Sequence, residues 1–240
     1  MNYELHDLAV IIPAYNEAGR VASTIDGIRK FADADIIVVS DGSTDNTVNE
    51  ASEADAAVIE LPFNLGYGAA LQTGFKYVLK KGYRFAVQMD ADGQHDPSAI
   101  QALIEPVYSG EVDIAIGSRF LGKGDYKAPF IRRVGIFFFA IIASMFTGKK
   151  VTDPTSGFQA LNRKVMELYA GNAYPSDYPD ADVIIMLHRG GMKFKEVPVI
   201  MKRSVGKVSM HGGLKPFYYI FKMLLSILVT LLRSREEGRV

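Results

Sequence analysis

Two carboxylates one residue apart, Asp90 and Asp92, follow directly on the apolar run Phe85 to Met89. Alternate residues leaving a strand can both turn toward one ligand when the chain bends between them, here at Ala91. Carboxylates held that close repel and raise one another's pKa unless a cation neutralises them. The chain has no cysteine, so thiolate metal sites and disulfides are excluded. A hard divalent ion with oxygen ligands, Mg²⁺ or Mn²⁺, suits the pair. Such an ion keeps waters and takes its remaining ligands from phosphates. Gln94 offers a carbonyl oxygen, so the candidate metal set is Asp90, Asp92 and Gln94. The alternative is an Asx-turn with a solvated second Asp. His95 is read as a hydrogen-bonded structural histidine in preference to a further ligand.

Two more polar clusters follow short apolar runs in the same way: Pro13-Ala14-Tyr15-Asn16-Glu17 and Ser40-Asp41-Gly42-Ser43. In open parallel sheets, ligands bind beyond the carboxyl ends of the strands. One Asp-Gly is ordinarily a turn; three clusters converging on one sheet edge argue for a site. Gly66-Tyr67-Gly68-Ala69-Ala70-Leu71 lacks the third glycine of a dinucleotide fingerprint and falls after the third strand, which disfavours such a site. Its glycines are read as letting a helix start pack close to the ligand.

The elements that must position these groups are legible from periodicity. Leu8–Ile12, Ile36–Val39, Phe85–Met89 and Val112–Ile116 read as buried strands, and Ala57–Glu60 as a weaker one. Helical patterns run from Glu17 to Phe31, over roughly 45–54, from Gly66 to Lys80, and onward from Pro97. The alternation predicts βαβ units and a doubly wound, mostly parallel α/β sheet flanked by helices. Beyond residue 120 come an apolar helix over Ile131–Phe146, a turn at Asp153-Pro154-Thr155-Ser156-Gly157, an amphipathic helix containing Val183–Leu187, and a strand over Phe194–Ile200. The apolar C-terminal segment Leu214–Arg233 carries Lys215 and Lys222. The expected organisation is a catalytic domain over 1–210 and a C-terminal helix within 211–240.

The chain has 240 residues, 48% of them hydrophobic and 22% charged, enough for a sizeable core. Its 27 basic and 27 acidic residues balance, so no overall basic charge points to nucleic acid. The N-terminus lacks the basic flank and apolar core of a signal peptide.

Ile12-Pro13-Ala14-Tyr15-Asn16-Glu17, Ser40-Asp41-Gly42-Ser43-Thr44-Asp45, Asn64-Leu65-Gly66 and Asp90-Ala91-Asp92-Gly93-Gln94-His95 together resemble family 2 glycosyltransferases with the GT-A fold. Ser118-Arg119, Asp153-Pro154-Thr155-Ser156-Gly157-Phe158 and Arg203-Ser204-Val205-Gly206 are similar to the polyprenyl-phosphate glycosyltransferases, the group containing dolichyl-phosphate mannose synthase. The resemblance spans roughly residues 8–210. It implies that Pro13, Tyr15, Glu17 and Asp41 line a nucleobase and ribose pocket. Asp90 helps hold the nucleotide and, with Asp92 and Gln94, the metal. Arg119 and Arg133 stand near an acceptor phosphate, and Arg203 lies on a loop closing over the donor phosphates. Ser40 departs from the family, which often has Asp there.

The implied reaction is inverting transfer from a UDP- or GDP-sugar. A lipid-phosphate acceptor is already ionised and needs cations in place of a base; a hydroxyl acceptor needs a carboxylate base, for which Asp180 and Asp182 are candidates. Asp180 is alternatively a helix cap. Pro216–Leu232 is shorter than the roughly 20 apolar residues of a spanning helix, so the tail is read as interfacial, packed on a membrane surface, on a small membrane-protein partner, or on its own core or a second copy in a homo-oligomer. The expected location is the cytoplasmic leaflet, peripherally bound. Transfer to a polysaccharide hydroxyl and a non-catalytic nucleotide-binding module are the rival readings.

Overall fold

The computed structural model describes residues 7–122, 130–201 and 215–233. Within them lie β1 (Leu8–Ala14), β2 (Asp35–Ser40), β3 (Ala57–Glu60), β4 (Phe85–Gln88), β5 (Ile114–Ser118), β6 (Gln159–Asn162) and β7 (Phe194–Pro198). They form one sheet in the order β3-β2-β1-β4-β6-β5-β7. The strands pair in parallel except β6, which runs antiparallel to both β4 and β5.

The period-two alternation of a strand divides the apolar residues between two faces. Ala9, Ile11, Ile37, Val39, Ile114 and Ile116 enter one core, whereas Val10, Ile12, Ile36, Val38 and Ala115 enter the other. The second core is closed by α1 (Val21–Arg29), α2 (Thr47–Glu53) and α4 (Ile100–Tyr108). The first is closed by α3 (Tyr67–Lys81), α5 (Phe130–Thr147), α6 (Arg163–Ala170), α7 (Ala181–Arg189) and α8 (Lys215–Leu232). A single-turn 3₁₀ helix at Pro97–Ala99 precedes α4, and Asp96 caps it by accepting from the Ser98 N–H at 3.1 Å.

Several elements differ from expectation. The first helix begins at Val21, because Glu17–Arg20 form a separate turn in which Arg20 and Val21 N–H both donate to the Glu17 carbonyl. Strand β6 and helix α6 follow the 153–157 turn and are not among the expected elements. The strand is only four residues long, and Asn162 ends it by capping α6 through the Val165 N–H.

Helix α7 is not amphipathic in place: every residue from Ala181 to Leu187 is buried. The sheet core lies on one side of it, and α5 and α8 pack over the rest. Helices α5 and α8 present Phe137, Ile141, Met145, Phe221, Leu228 and Leu232 to the exterior. Among the described residues, no helix is long and apolar enough to cross a membrane.

The glycines before and within the first turn of α3 let it pack closely on the protein's own backbone. A Cβ on Gly68 would sit 2.0 Å from the Pro175 carbonyl oxygen and 2.8 Å from that of Ser176. The Ala69 N–H donates to the same Ser176 carbonyl at 3.0 Å. Overpacking of this kind costs about 1–3 kcal/mol, so Gly68→Ala is expected to lower the urea midpoint by that amount of stability. An unchanged midpoint would show that the two segments can separate freely.

Candidate active site

Three strand ends meet at one sheet edge. Pairing of Ala14 with Ser40 and of Ile11 with Gln88 brings the ends of β1, β2 and β4 together. The first two polar clusters are tied into one unit by side chains. Asn16, at φ +53°, donates its N–H to Ser43 Oγ at 3.1 Å, and its Oδ1 accepts from the Thr44 N–H at 2.9 Å. The Glu17 N–H donates to Thr47 Oγ1 at 2.8 Å. Pro13 is buried at the end of β1, Tyr15 stands 47% exposed beyond it, and buried Glu17 accepts from Arg20 Nε at 2.9 Å.

Asp41 does not present a free carboxylate to the cleft. It is buried, and its two oxygens accept from the N–H groups of Leu65 (2.7 Å) and Gly66 (3.0 Å). Gly42 permits the close crossing: at φ +67°, its Cβ would lie 2.6 Å from Asn64 N. Asp41 is thus the anchor of the Asn64-Leu65-Gly66 segment.

At the end of β4, Asp90 is held from several sides. Its Oδ1 accepts from the Tyr67 hydroxyl at 2.7 Å. Its N–H donates to His95 Nδ1 at 3.1 Å, and Oδ2 faces His95 Nε2 at 3.6 Å. His95 is buried and stacked on Phe158, with ring centroids 4.9 Å apart, in keeping with its structural reading. Burial, with the neighbouring Asp90 charge second, raises the Tyr67 phenol well above its ordinary value. Asp92 Oδ1 accepts from the Gln94 N–H at 3.0 Å, and Oδ2 accepts from the Gln94 amide nitrogen. Gln94 therefore orients Asp92 through its nitrogen.

Among the described residues, no group of three or more His, Cys, Asp or Glu can hold a metal. An ion held here would draw on Asp90, which has one oxygen committed to Tyr67 and a side chain 31% exposed, and would take further ligands from outside the protein. Such an all-oxygen, partly open set matches Mg²⁺ or Mn²⁺ shared with a diphosphate.

Arg119 is buried in a fork with Asp153. Its Nε donates to Oδ2 at 2.6 Å, its Nη2 to Oδ1 at 2.5 Å, and its backbone N–H to Oδ2 at 3.0 Å. Nη2 also donates to Thr155 Oγ1 at 2.7 Å. Glu196 on β7 supports this corner by accepting from the N–H groups of Thr152 and Asp153 at 2.9 and 2.7 Å. Burial pushes the Glu196 carboxyl up. Arg133 sits elsewhere, exposed on α5. It lines a groove of about 450 Å³ with Phe120, Phe137, Ile141, Lys150 and Thr152.

The segment entering α7 is bound to α8. Tyr219 donates to Asp180, Lys222 to Asp177 and Ser226 to Asp182. Asp180 makes no side-chain cap of α7. Burial raises its carboxyl from 3.8 to about 7, against the opposing Tyr219 hydrogen bond; nearby Asp182 raises it further and Arg119 lowers it. Asp182 has no exposed surface, and its Oδ1 accepts from the N–H groups of Asp180 and Val183 at 3.0 and 2.9 Å. Burial raises its carboxyl too. Arg203 lies outside the described residues.

Sequence reasoning missed Tyr67, Asp153 and Glu196 as site residues. Asp153 carried a signal, as the acid in a noted turn; the other two depend on contacts far along the chain.

Two outcomes follow. Removing one partner of a buried ion pair costs about 3–5 kcal/mol, so Asp153→Ala should lose that much stability in chemical unfolding; a near-neutral effect would show that Arg119 is solvated. Asp180 holds its proton more tightly folded than unfolded, so its contribution to stability is complete below about pH 4 and is lost as pH rises to about 7. Wild type should therefore lose stability relative to Asp180→Asn across that window, and parallel unfolding curves at pH 4 and pH 8 would contradict the shift.

Comparison with known proteins agrees with this geometry. Residues 9–169 match the model of glycosyl transferase family 2. A polyprenol monophosphomannose synthase of Mycolicibacterium smegmatis is 33% identical, covering 85% of this chain and 81% of that protein. An undecaprenyl-phosphate mannosyltransferase of Micrococcus luteus is 30% identical over 85% of this chain and 87% of its own. Glucosyl-3-phosphoglycerate synthase of Mycobacterium tuberculosis, crystallised with Mn²⁺, UDP-glucose and phosphoglyceric acid, superposes with a TM-score of 0.68 at 21% identity, over 93% of this chain and 79% of that one. The α/β fold is of the GT-A type expected, and the chain belongs to glycosyl transferase family 2 and is a glycosyltransferase.

Proposed function

We propose that this glycosyltransferase moves a sugar from a UDP- or GDP-sugar to a polyprenyl phosphate, with inversion and with Mg²⁺ or Mn²⁺ at Asp90 and Asp92. The observation that carries the acceptor class is the apolar groove beside Arg119. Phe120, next to Arg119, lines it, as does Thr152, whose hydroxyl lies 2.6 Å from that of Ser118. Arg133 and Lys150 supply cations, while Phe137, Ile141 and Met145 supply an apolar wall. An isoprenoid phosphate combines those two requirements in one molecule. The likeness to relatives named for polyprenol and undecaprenyl phosphate supports the same reading.

In this reading Tyr15 stacks on the base, with Pro13 and Glu17 shaping the wall. Asp41 holds the floor of the pocket through Leu65 and Gly66. Asp90 and Asp92 hold the cation, and Gln94 keeps Asp92 turned toward it. The bound cation supplies neutralisation of the charge that grows on the departing diphosphate. Arg203 assists in that neutralisation. The acceptor phosphate oxygen attacks the anomeric carbon in line, without a general base. Arg133 meets that phosphate directly, and Arg119 fixes the corner beside it while bound to Asp153. Asp182, assigned a catalytic role from the sequence, serves to position the segment entering α7.

A hydroxyl acceptor is the second reading, favoured by Asp180, whose carboxyl at about 7 suits a general base. The exposed apolar residues of α5 and α8 support a peripheral position on the cytoplasmic leaflet.

The deciding assay follows nucleotide release from a panel of UDP- and GDP-sugars with Mn²⁺ or Mg²⁺, with and without polyprenyl phosphate. Release that depends on metal and lipid phosphate is expected, and Asp92→Ala should abolish it while the fold survives. Metal-independent turnover, or indifference to the lipid, would overturn the proposal.

A further inference from the structure

Asp90 is held by more than its place at the end of β4. Tyr67, in the first turn of α3, reaches it through a 2.7 Å hydrogen bond from the phenol to Oδ1. The Tyr67 oxygen in turn accepts from the Gln88 amide nitrogen at 3.1 Å. With its acceptor side engaged by Gln88, the single phenolic proton is directed at Asp90. Gln88 is buried, and its Oε1 is the one buried side-chain polar atom without a hydrogen-bond partner among the described residues. Its amide thus leaves its own carbonyl unsatisfied while serving the tyrosine. Gly157 completes the arrangement: a Cβ there would lie 2.7 Å from the Tyr67 hydroxyl and 3.5 Å from both Asp90 oxygens. An empty Cβ position, an orphaned acceptor and a directed phenol converge on one carboxylate.

We infer that Tyr67 is the positioning residue for Asp90. It fixes Oδ1, and with it the plane of a carboxylate whose Oδ2 lies 3.6 Å from His95 Nε2, so that the lone pairs left over are held in one direction for the cation, and Gln88 and Gly157 maintain that direction. The inference rests on the proposed role of Asp90 in cation binding. Groups that orient a metal-bound carboxylate are worth about 10- to 100-fold in metal affinity.

The test is calorimetric binding of UDP and of GDP, each with and without Mn²⁺, to wild type, Asp90→Asn, Tyr67→Phe and Gly157→Ala. Wild type should bind one nucleotide more tightly with Mn²⁺, and Asp90→Asn should lose that increment. Tyr67→Phe should reduce it about tenfold or more, while its metal-free affinity stays at the wild-type value and the Gln88 amide left unpaired lowers its melting temperature without unfolding it. Gly157→Ala, which displaces the phenol, should lose it similarly. If Asp90→Asn loses the increment and Tyr67→Phe retains it, the positioning role is wrong and the cation site stands. If wild type shows no Mn²⁺ increment with either nucleotide, the cation site fails and the inference with it.

Discussion

The central constraint is the parallel pairing of β1 on both of its edges. Every residue from Leu8 to Ala14 is buried, so the strand has no freedom to slip against β2 or β4. A one-residue slip would exchange its two side-chain sets between the faces of the sheet. With that register held, three chain segments must leave the sheet at one edge, and their polar residues face each other whatever their separation in sequence. The zipped loops at 16–19 and 43–50, the Asp41 anchor and the Tyr67–Asp90 contact all rest on that alignment.

The far side of the site depends on buried charge. Arg119 and Asp153 satisfy each other inside the protein, and Glu196 binds the same segment through main-chain N–H groups. An ion pair of this kind contributes little net stability against an apolar replacement, but it is expensive to break from one side. Its effect is geometric. It joins the end of β5 to the 152–155 segment, from which Thr152 lines the apolar groove.

What could be read from the sequence was what is local. Runs such as Leu8–Ile12 and Ile36–Val39 declare buried strands, because neighbours in sequence remain neighbours in space. The partners of Asp41 lie 24 and 25 residues away, that of Arg119 lies 34 away, and those of Asp182 and Asp180 on α8 lie 44 and 39 away. No window of periodicity contains such pairs. The burial of α7 was hidden for the same reason. His188 and Arg189 at its end look like one polar face, but the covering of its other sides comes from two distant helices. Strand β6 escaped because four residues with a single interior leucine make no run.

Helix α8 has two faces with different obligations. Outward it carries Phe221, Leu224, Leu228 and Leu232; inward it buries Met223 and Ile227 and offers Tyr219, Lys222 and Ser226 to three aspartates. A chain cut ahead of this helix would not be a trimmed enzyme. It would leave the wholly enclosed carboxylate of Asp182 without its hydroxyl donor and open one wall of the core around α7. The terminal segment that looks most dispensable in composition is thus a keystone, and shortening the gene at that point would trade solubility for an unfinished interior.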